Sequence, residues 1–132
     1  MAKIRNHKEL RVWQDAMDAA MTIFEATRRF PAEERYSLVD QVRRSSRSVA
    51  ANVSEAWRKR RYQAAFVAKI NDAESEASET QTWIEFSRRC CYLNDLEAGE
   101  LDARYERIIG QLVVMAGNSQ DWVLLAARGE NT

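Results

Sequence analysis

Four helix-length segments of this chain carry apolar residues at helical spacing, and almost nothing inside them breaks a helix. The only proline, Pro31, falls between the first two segments. The residue before a proline avoids helical angles, so Phe30-Pro31 ends the first segment. Low glycine content and many Ala, Glu and Arg favour helix over sheet along the whole chain. The expected fold is all-α: an antiparallel up-down-up-down four-helix bundle in a single domain over residues 1–132.

The first helix is predicted over 7–29, with Asn6 as its N-cap. Leu10, Trp13, Met17, Ala20, Phe24 and Thr27 recur at three- and four-residue steps, with Ile23 beside them, and are expected to face inward. The second helix is predicted over 36–58, with Leu38, Val42, Ser45, Val49, Asn52, Ala56 and Val53 inside. Its many small residues let a neighbour approach closely, which suits the centre of the bundle. The third helix, over 62–92, keeps a heptad from Phe66 through Ile70, Ala73, Ala77, Thr80, Ile84 and Ser87 to Cys91. The fourth, over 96–116, has Asp95 as its expected cap and turns Leu101, Tyr105, Ile108, Ile109, Leu112 and Met115 inward. Residues 119–128 form a short tail whose Trp122, Val123, Leu124 and Leu125 need cover from the bundle or from a neighbouring chain. Fraying is expected from Gly129 onward. All three connections are short, so consecutive helices are antiparallel neighbours.

Composition excludes several classes. At 45% apolar and 30% charged residues the chain reads as a globular protein. No segment approaches the roughly 18 continuous apolar residues of a membrane span, and Met1-Ala2-Lys3-Ile4-Arg5 lacks a signal-peptide core. A cytoplasmic location without membrane contact is expected. Cys90 and Cys91 are adjacent, so on a helix they point about 100° apart and share no metal-ligand geometry. The single His7 provides no Glu-x-x-His pair for a di-iron site. No triad and no glycine-rich phosphate loop is present, since Gly99, Gly110, Gly117 and Gly129 are scattered. No metal, cofactor or catalytic role is expected.

Charge is balanced overall but segregated along the chain. Residues 28–61 hold ten basic and four acidic side chains; residues 71–106 hold ten acidic and three basic ones. Antiparallel packing sets Arg44 level with Glu79 and Arg47 level with Glu76, so part of this imbalance is expected to cancel between the second and third helices. The turn is different. Arg58, Lys59, Arg60 and Arg61 are consecutive, and the topology brings Lys3, Arg5, Lys8, Arg11 and Arg128 to the same end. Against these nine cations stand Glu9, Glu55, Asp121 and Glu130. A positive end suits a polyanion, because neutralising phosphates releases counterions. Tyr62 adds a stacking surface. The alternative is a solvated charge cluster, or a surface that docks an acidic protein. Along the second helix, Gln41, Ser45, Ser48, Asn52 and Glu55 are read as a hydrogen-bonded polar network that fixes helix register, with partners in Thr27 or Thr80 or across a subunit boundary; the alternative is a ligand or partner pocket.

These residues also carry a resemblance. Leu10-x-Val12-Trp13-Gln14, Phe30-Pro31-x-x-Glu34-x-Tyr36-x-Leu38, Gln41-Val42-Arg43-Arg44 and Ser48-Val49-x-x-Asn52-Val53-x-Glu55 resemble the bacterial four-helix bundle family, also called the 23S ribosomal RNA intervening-sequence proteins. Phe66, Ala73, Glu79-Thr80-Gln81 and Tyr92-Leu93 extend the likeness over about residues 8–116. The chain departs from the family where Ala56-Trp57 follows Glu55 and where Ser75-Glu76 replaces a Gly-Ser pair. The resemblance implies a homopentameric ring of bundles and kinship with the accessory variability proteins of diversity-generating retroelements, which bind nucleic acid and a reverse transcriptase. It implies no enzymatic activity. It makes Arg43, Arg44 and Arg47 candidate surface or pore residues beside Arg58, Lys59, Arg60, Arg61, Lys8 and Arg11. The partners it implies are a second copy of the chain and RNA or DNA.

Overall fold

The computed structural model describes residues 3–124. Four helices dominate it: α1 (Arg11–Thr27), α2 (Leu38–Arg58), α3 (Gln63–Arg89) and α4 (Asp95–Gly117). They form an antiparallel up-down-up-down bundle. Short 3-10 turns flank them at His7–Glu9, Ala32–Glu34 and Ser119–Asp121. Among the described residues there is no strand, and no helix is long and apolar enough to cross a membrane. Of the expected tail and positive end, Leu125, Arg128, Gly129 and Glu130 lie outside the described residues.

The heptad of α3 is the straightest link from sequence to packing. Phe66, Ile70, Ala73, Ala77, Thr80, Ile84 and Ser87 are all buried. Cys91, the expected last member, is exposed instead, because α3 stops at Arg89. Cys91 takes φ 63°, a left-handed cap geometry that glycine usually occupies, and the Tyr92 amide then reaches back to the Ser87 carbonyl at 2.9 Å. Asn94, not Asp95, caps α4. Its side chain accepts from the Glu97 amide at 2.8 Å, and Glu97 accepts from the Asn94 amide at 3.1 Å. This reciprocal pair satisfies two otherwise orphaned donors, and Asp95 is left to interact favourably with the helix dipole.

α1 is rotated from its expected orientation by about one residue. Val12, Ala16, Ala19, Ile23 and Thr27 are buried, whereas Trp13, Ala20 and Phe24 are half-buried and Met17 is 37% exposed. Two helical stripes were available, and periodicity does not choose between them. Packing does: Ala16 and Ala19 have no exposed surface, so the helix backbone lies close to its neighbours. The bulkier stripe is turned toward the α2 edge, where polar groups meet it. Trp13 Nε1 donates to Ser54 Oγ at 3.1 Å, and the Arg43 guanidinium lies 4.6 Å from the centre of the Phe24 ring.

The α1–α2 connection is fastened by Glu34. Its carboxylate accepts from Ser37 Oγ (2.6 Å) and from Tyr92 Oη (2.8 Å). The Tyr92 ring lies 5.2 Å from that of Phe30, so the Phe30-Pro31 corner is tied to the end of α3. The hydrogen bonds from Ser37 and Tyr92 hold the Glu34 carboxyl below its ordinary 4.5. The bond to Glu34, helped by burial, pushes the Tyr92 hydroxyl up to about 12. A depressed carboxyl stabilises the fold above its unfolded value, and that stabilisation is lost as pH falls through the folded value. The raised Tyr92 acts with the opposite sign: its contribution is complete below pH 10 and is lost as pH rises toward 12. The melting temperature of wild type minus that of Glu34→Gln is therefore expected to be positive at pH 7 and to shrink as pH falls below 4.5, measured by circular dichroism. A difference independent of pH contradicts the assignment.

Candidate nucleic-acid interface

The turn between α2 and α3 separates its four cations into two kinds. Arg58, Lys59 and Arg61 are exposed. Among the described residues, none of the three has a carboxylate within ion-pair distance. Tyr62 follows them with 63% of its surface exposed. Arg60 folds back instead. Its guanidinium carbon lies 3.4 Å from the centre of the buried Trp57 ring, and its Nε donates to the Trp57 carbonyl at 2.8 Å. Burial, reinforced by the Arg58 charge, lowers its pKa. The Arg60 carbonyl accepts from the Leu124 amide at 3.0 Å, so this residue staples the turn to the C-terminal segment. Arg60 was expected to present charge to a ligand; the geometry gives it a structural task.

Other parts of this end are less uniform. Glu55, expected in the polar network of α2, pairs with Lys69 at 2.7 Å and lies close enough to Lys59 to feel its charge. Lys8 is exposed on the 3-10 turn His7–Glu9. That turn is held to α1 by an edge contact of His7 on Trp13, with ring centres 5.4 Å apart. Arg11 is exposed as well, but it lies beside Asp15 at 3.9 Å and lines a groove between α1 and α4. That groove has a volume of about 840 Å³ and a largely apolar floor that includes Leu10, Val12, Val114, Met115 and Trp122.

The polar network expected along α2 does not assemble. Ser45 alone is buried in the core, where Thr80 Oγ1 donates to its hydroxyl at 2.8 Å. Gln41 is exposed, Asn52 donates to the Ser48 carbonyl within its own helix at 2.9 Å, and Glu55 turns to Lys69. The string keeps to one stripe of α2 about 80° wide, but that stripe lies at the edge of the buried face, so only Ser45 is covered. Thr27 does serve as a cross-helix partner, but of Arg43.

The three arginines of α2 have three different surroundings. Arg44 Nη2 bonds to Glu79 at 2.8 Å, as expected, and its Nη1 also reaches Glu76 at 3.6 Å. The expected Arg47–Glu76 pair is therefore absent: Arg44 takes both carboxylates. Burial and the neighbouring Glu79 raise the Glu76 carboxyl, even with Arg44 beside it. Arg43 Nε donates to Thr27 Oγ1 at 2.8 Å and its Nη2 to the Phe24 carbonyl at 3.4 Å. Arg47 lies 5.9 Å from the centre of the same Phe24 ring, and so does Arg28 from α1's C-terminal end. Arg28 and Arg35 were not singled out in the sequence; the docking of α1 on α2 brings Arg28 to the Phe24 ring, and Arg35 lines one groove with Arg43, Arg44 and Arg47.

The family model of the 23S rRNA-intervening sequence protein matches residues 8–114. The chain belongs to that family. A protein of unknown function from the S23 ribosomal protein family of Bacteroides thetaiotaomicron has a similar structure, with a TM-score of 0.72 at 24% sequence identity. The similarity covers 80% of this chain and 97% of that one, and at this identity it speaks for the fold. No curated protein matches the sequence. Within the family frame, Phe30-Pro31, Glu34 and Tyr92-Leu93 are now explained as the fastening of the bundle's second end.

The contrast between Arg60 and its neighbours is testable. Arg60→Ala removes a guanidinium stacked on a buried indole and one hydrogen bond, so it is expected to lower stability by about 1–2 kcal/mol. Arg61→Ala, at an exposed position, is expected to stay within about 0.5 kcal/mol of wild type. Urea unfolding of the two variants checks the ranking, and equal effects contradict it.

Proposed function

We propose that this protein is a non-enzymatic, homo-oligomeric accessory factor that binds RNA or DNA through the basic end of its bundle. The observation that carries the reading is the trio Arg58, Lys59 and Arg61, exposed, unpaired with any described carboxylate, and adjacent to the exposed ring of Tyr62. Phosphate binding by such a trio is sequence-independent and weakens with salt. Tyr62 can stack on any base. The family's name ties it to ribosomal RNA, which supports RNA as the first polyanion to examine.

The resemblance implies a ring of five subunits. A repeated weak contact in such a ring is multiplied by effective concentration, which suits a trio of exposed cations. The apolar groove between α1 and α4, together with the exposed Val113 and Val114, supports subunit contact on that side. The same groove favours a second reading, in which the protein is a scaffold for a partner protein and the basic end docks acidic side chains.

Fluorescence anisotropy of a labelled single-stranded RNA across a salt series separates the two. Binding is expected to weaken linearly in log affinity against log salt. Alanine at Arg58, Lys59 and Arg61 is expected to flatten that slope by about 2, near 0.7 per lost phosphate contact. Arg60 is left intact so that the fold is kept. An unchanged slope in the variant removes the basic turn as the contact, and no binding at low salt favours the scaffold.

A further inference from the structure

We propose that the outward face of α2 carries a second phosphate-binding cluster, centred on Arg43 and Arg47 with Arg28 and Arg35 in support, and that one polynucleotide strand spans this cluster and the basic turn. The inference rests on the nucleic-acid reading above.

The cluster is unusual in what holds it. Arg28, Arg43 and Arg47 converge on one Phe24 ring, with guanidinium carbons 5.9, 4.6 and 5.9 Å from its centre. Arginines on a bundle surface usually find carboxylates. Here Arg44 occupies both Glu79 and Glu76, and among the described residues Arg35, Arg43 and Arg47 have no carboxylate within ion-pair distance. Arg28 is paired only with the exposed Glu25, at 3.6 Å. Asp40 is the one acidic residue in the groove of about 470 Å³ that Arg35, Arg43, Arg44 and Arg47 line, and among the described residues it has no ion pair.

Arg43 is fixed from behind. Thr27 and the Phe24 carbonyl accept from its Nε and Nη2, and the Phe24 ring supports its plane. Like charges held together by a π face and neutral acceptors repel one another, and an anion relieves that repulsion. A guanidinium already ordered loses little freedom on binding phosphate, which favours Arg43 as a positioning residue and Arg47 and Arg35 as the phosphate contacts.

Helix geometry connects this cluster to the turn. Arg47 and Arg58 are eleven residues apart, three turns of α2, so they share its outward face at about 16 Å separation. A free phosphate reaches one cluster at a time. A single strand reaches both, and Met17 and Met21, 37% and 53% exposed on α1, offer apolar surface alongside.

The test uses the whole protein, a labelled 20-nucleotide poly-uridine, a 4-nucleotide oligomer, and inorganic phosphate as competitor. The double variant Arg35→Gln, Arg47→Gln changes exposed side chains, and circular dichroism checks that its fold is intact. The variant is expected to bind the 20-mer several-fold more weakly, with a salt slope shallower by about 1.4, two contacts at 0.7 each. The 4-mer and phosphate are expected to gain nothing from the intact pair of clusters. Unchanged 20-mer binding in this variant, while alanine at the turn weakens it, overturns the inference and leaves the nucleic-acid reading standing. Loss of oligomer size in sedimentation velocity with RNA binding unchanged also overturns it, and assigns the flank to subunit contact. Absence of RNA binding by wild type overturns both. Full displacement of the 20-mer by millimolar phosphate overturns the spanning strand.

Discussion

The close seating of α2 on its two neighbours is the constraint on which the rest of this structure depends. On one side, small residues let α3 approach: Ala73 and Ala77 have no exposed surface, and Thr80 reaches Ser45 across the interface. On the other, Ala16 and Ala19 bring α1 close, and Thr27 meets Arg43. Interiors pack at crystal-like density, so this choice of small residues sets the rotation of each helix. That rotation then decides which arginines find partners. Arg44 falls within reach of two carboxylates on α3; Arg43 and Arg47, one and three residues away, fall toward α1 and an aromatic ring.

Surface chemistry in this protein is thus a by-product of core geometry. Among the described residues the exposed cations of the turn have no carboxylate within ion-pair distance, and Glu55, the nearest acidic residue in the sequence, is engaged by Lys69. Arg60 lies among them yet serves the fold, since its guanidinium stacks on the buried indole of Trp57 and its Nε bonds that residue's carbonyl. The far end of the bundle is built differently. There Glu34 accepts from Ser37 and from Tyr92, whose ring packs on Phe30, and Asn94 and Glu97 cap α4 reciprocally, so these polar groups are consumed in closing the structure.

Most of the architecture was legible from spacing. The heptad of α3 from Phe66 to Ser87 and the α4 line Leu101-Tyr105-Ile108-Leu112-Met115 name buried residues, whereas Cys91 and Ile109, also expected inside, are exposed and half-buried. The stripe of α1 was not legible, since Trp13-Met17-Ala20-Phe24 and Val12-Ala16-Ala19-Ile23 are both helical lines and only the volume available beside α2 chooses between them. The candidate site was legible in part. Consecutive cations in a turn are visible in sequence, whereas the fold-back of Arg60 and the gathering of Arg28, Arg43 and Arg47 around Phe24 depend on contacts between distant segments. The polar string of α2 misled for a related reason: its spacing keeps Gln41, Ser45 and Glu55 on one stripe, and only the docking of α3 decides that Ser45 is covered while Gln41 and Glu55 stay exposed.

The central claim is that the outward face of α2 and the turn beyond it form one track for a polynucleotide. Photocrosslinking of a uridine-analogue RNA to the protein, with the attached peptides mapped by mass spectrometry, tests it most directly. The account predicts crosslinks at Tyr62 and on peptides of α1 and α2 that include Met21, Phe24 and Arg47. Crosslinks confined to α3 and α4, or none above those to an unrelated protein of equal charge, would contradict it.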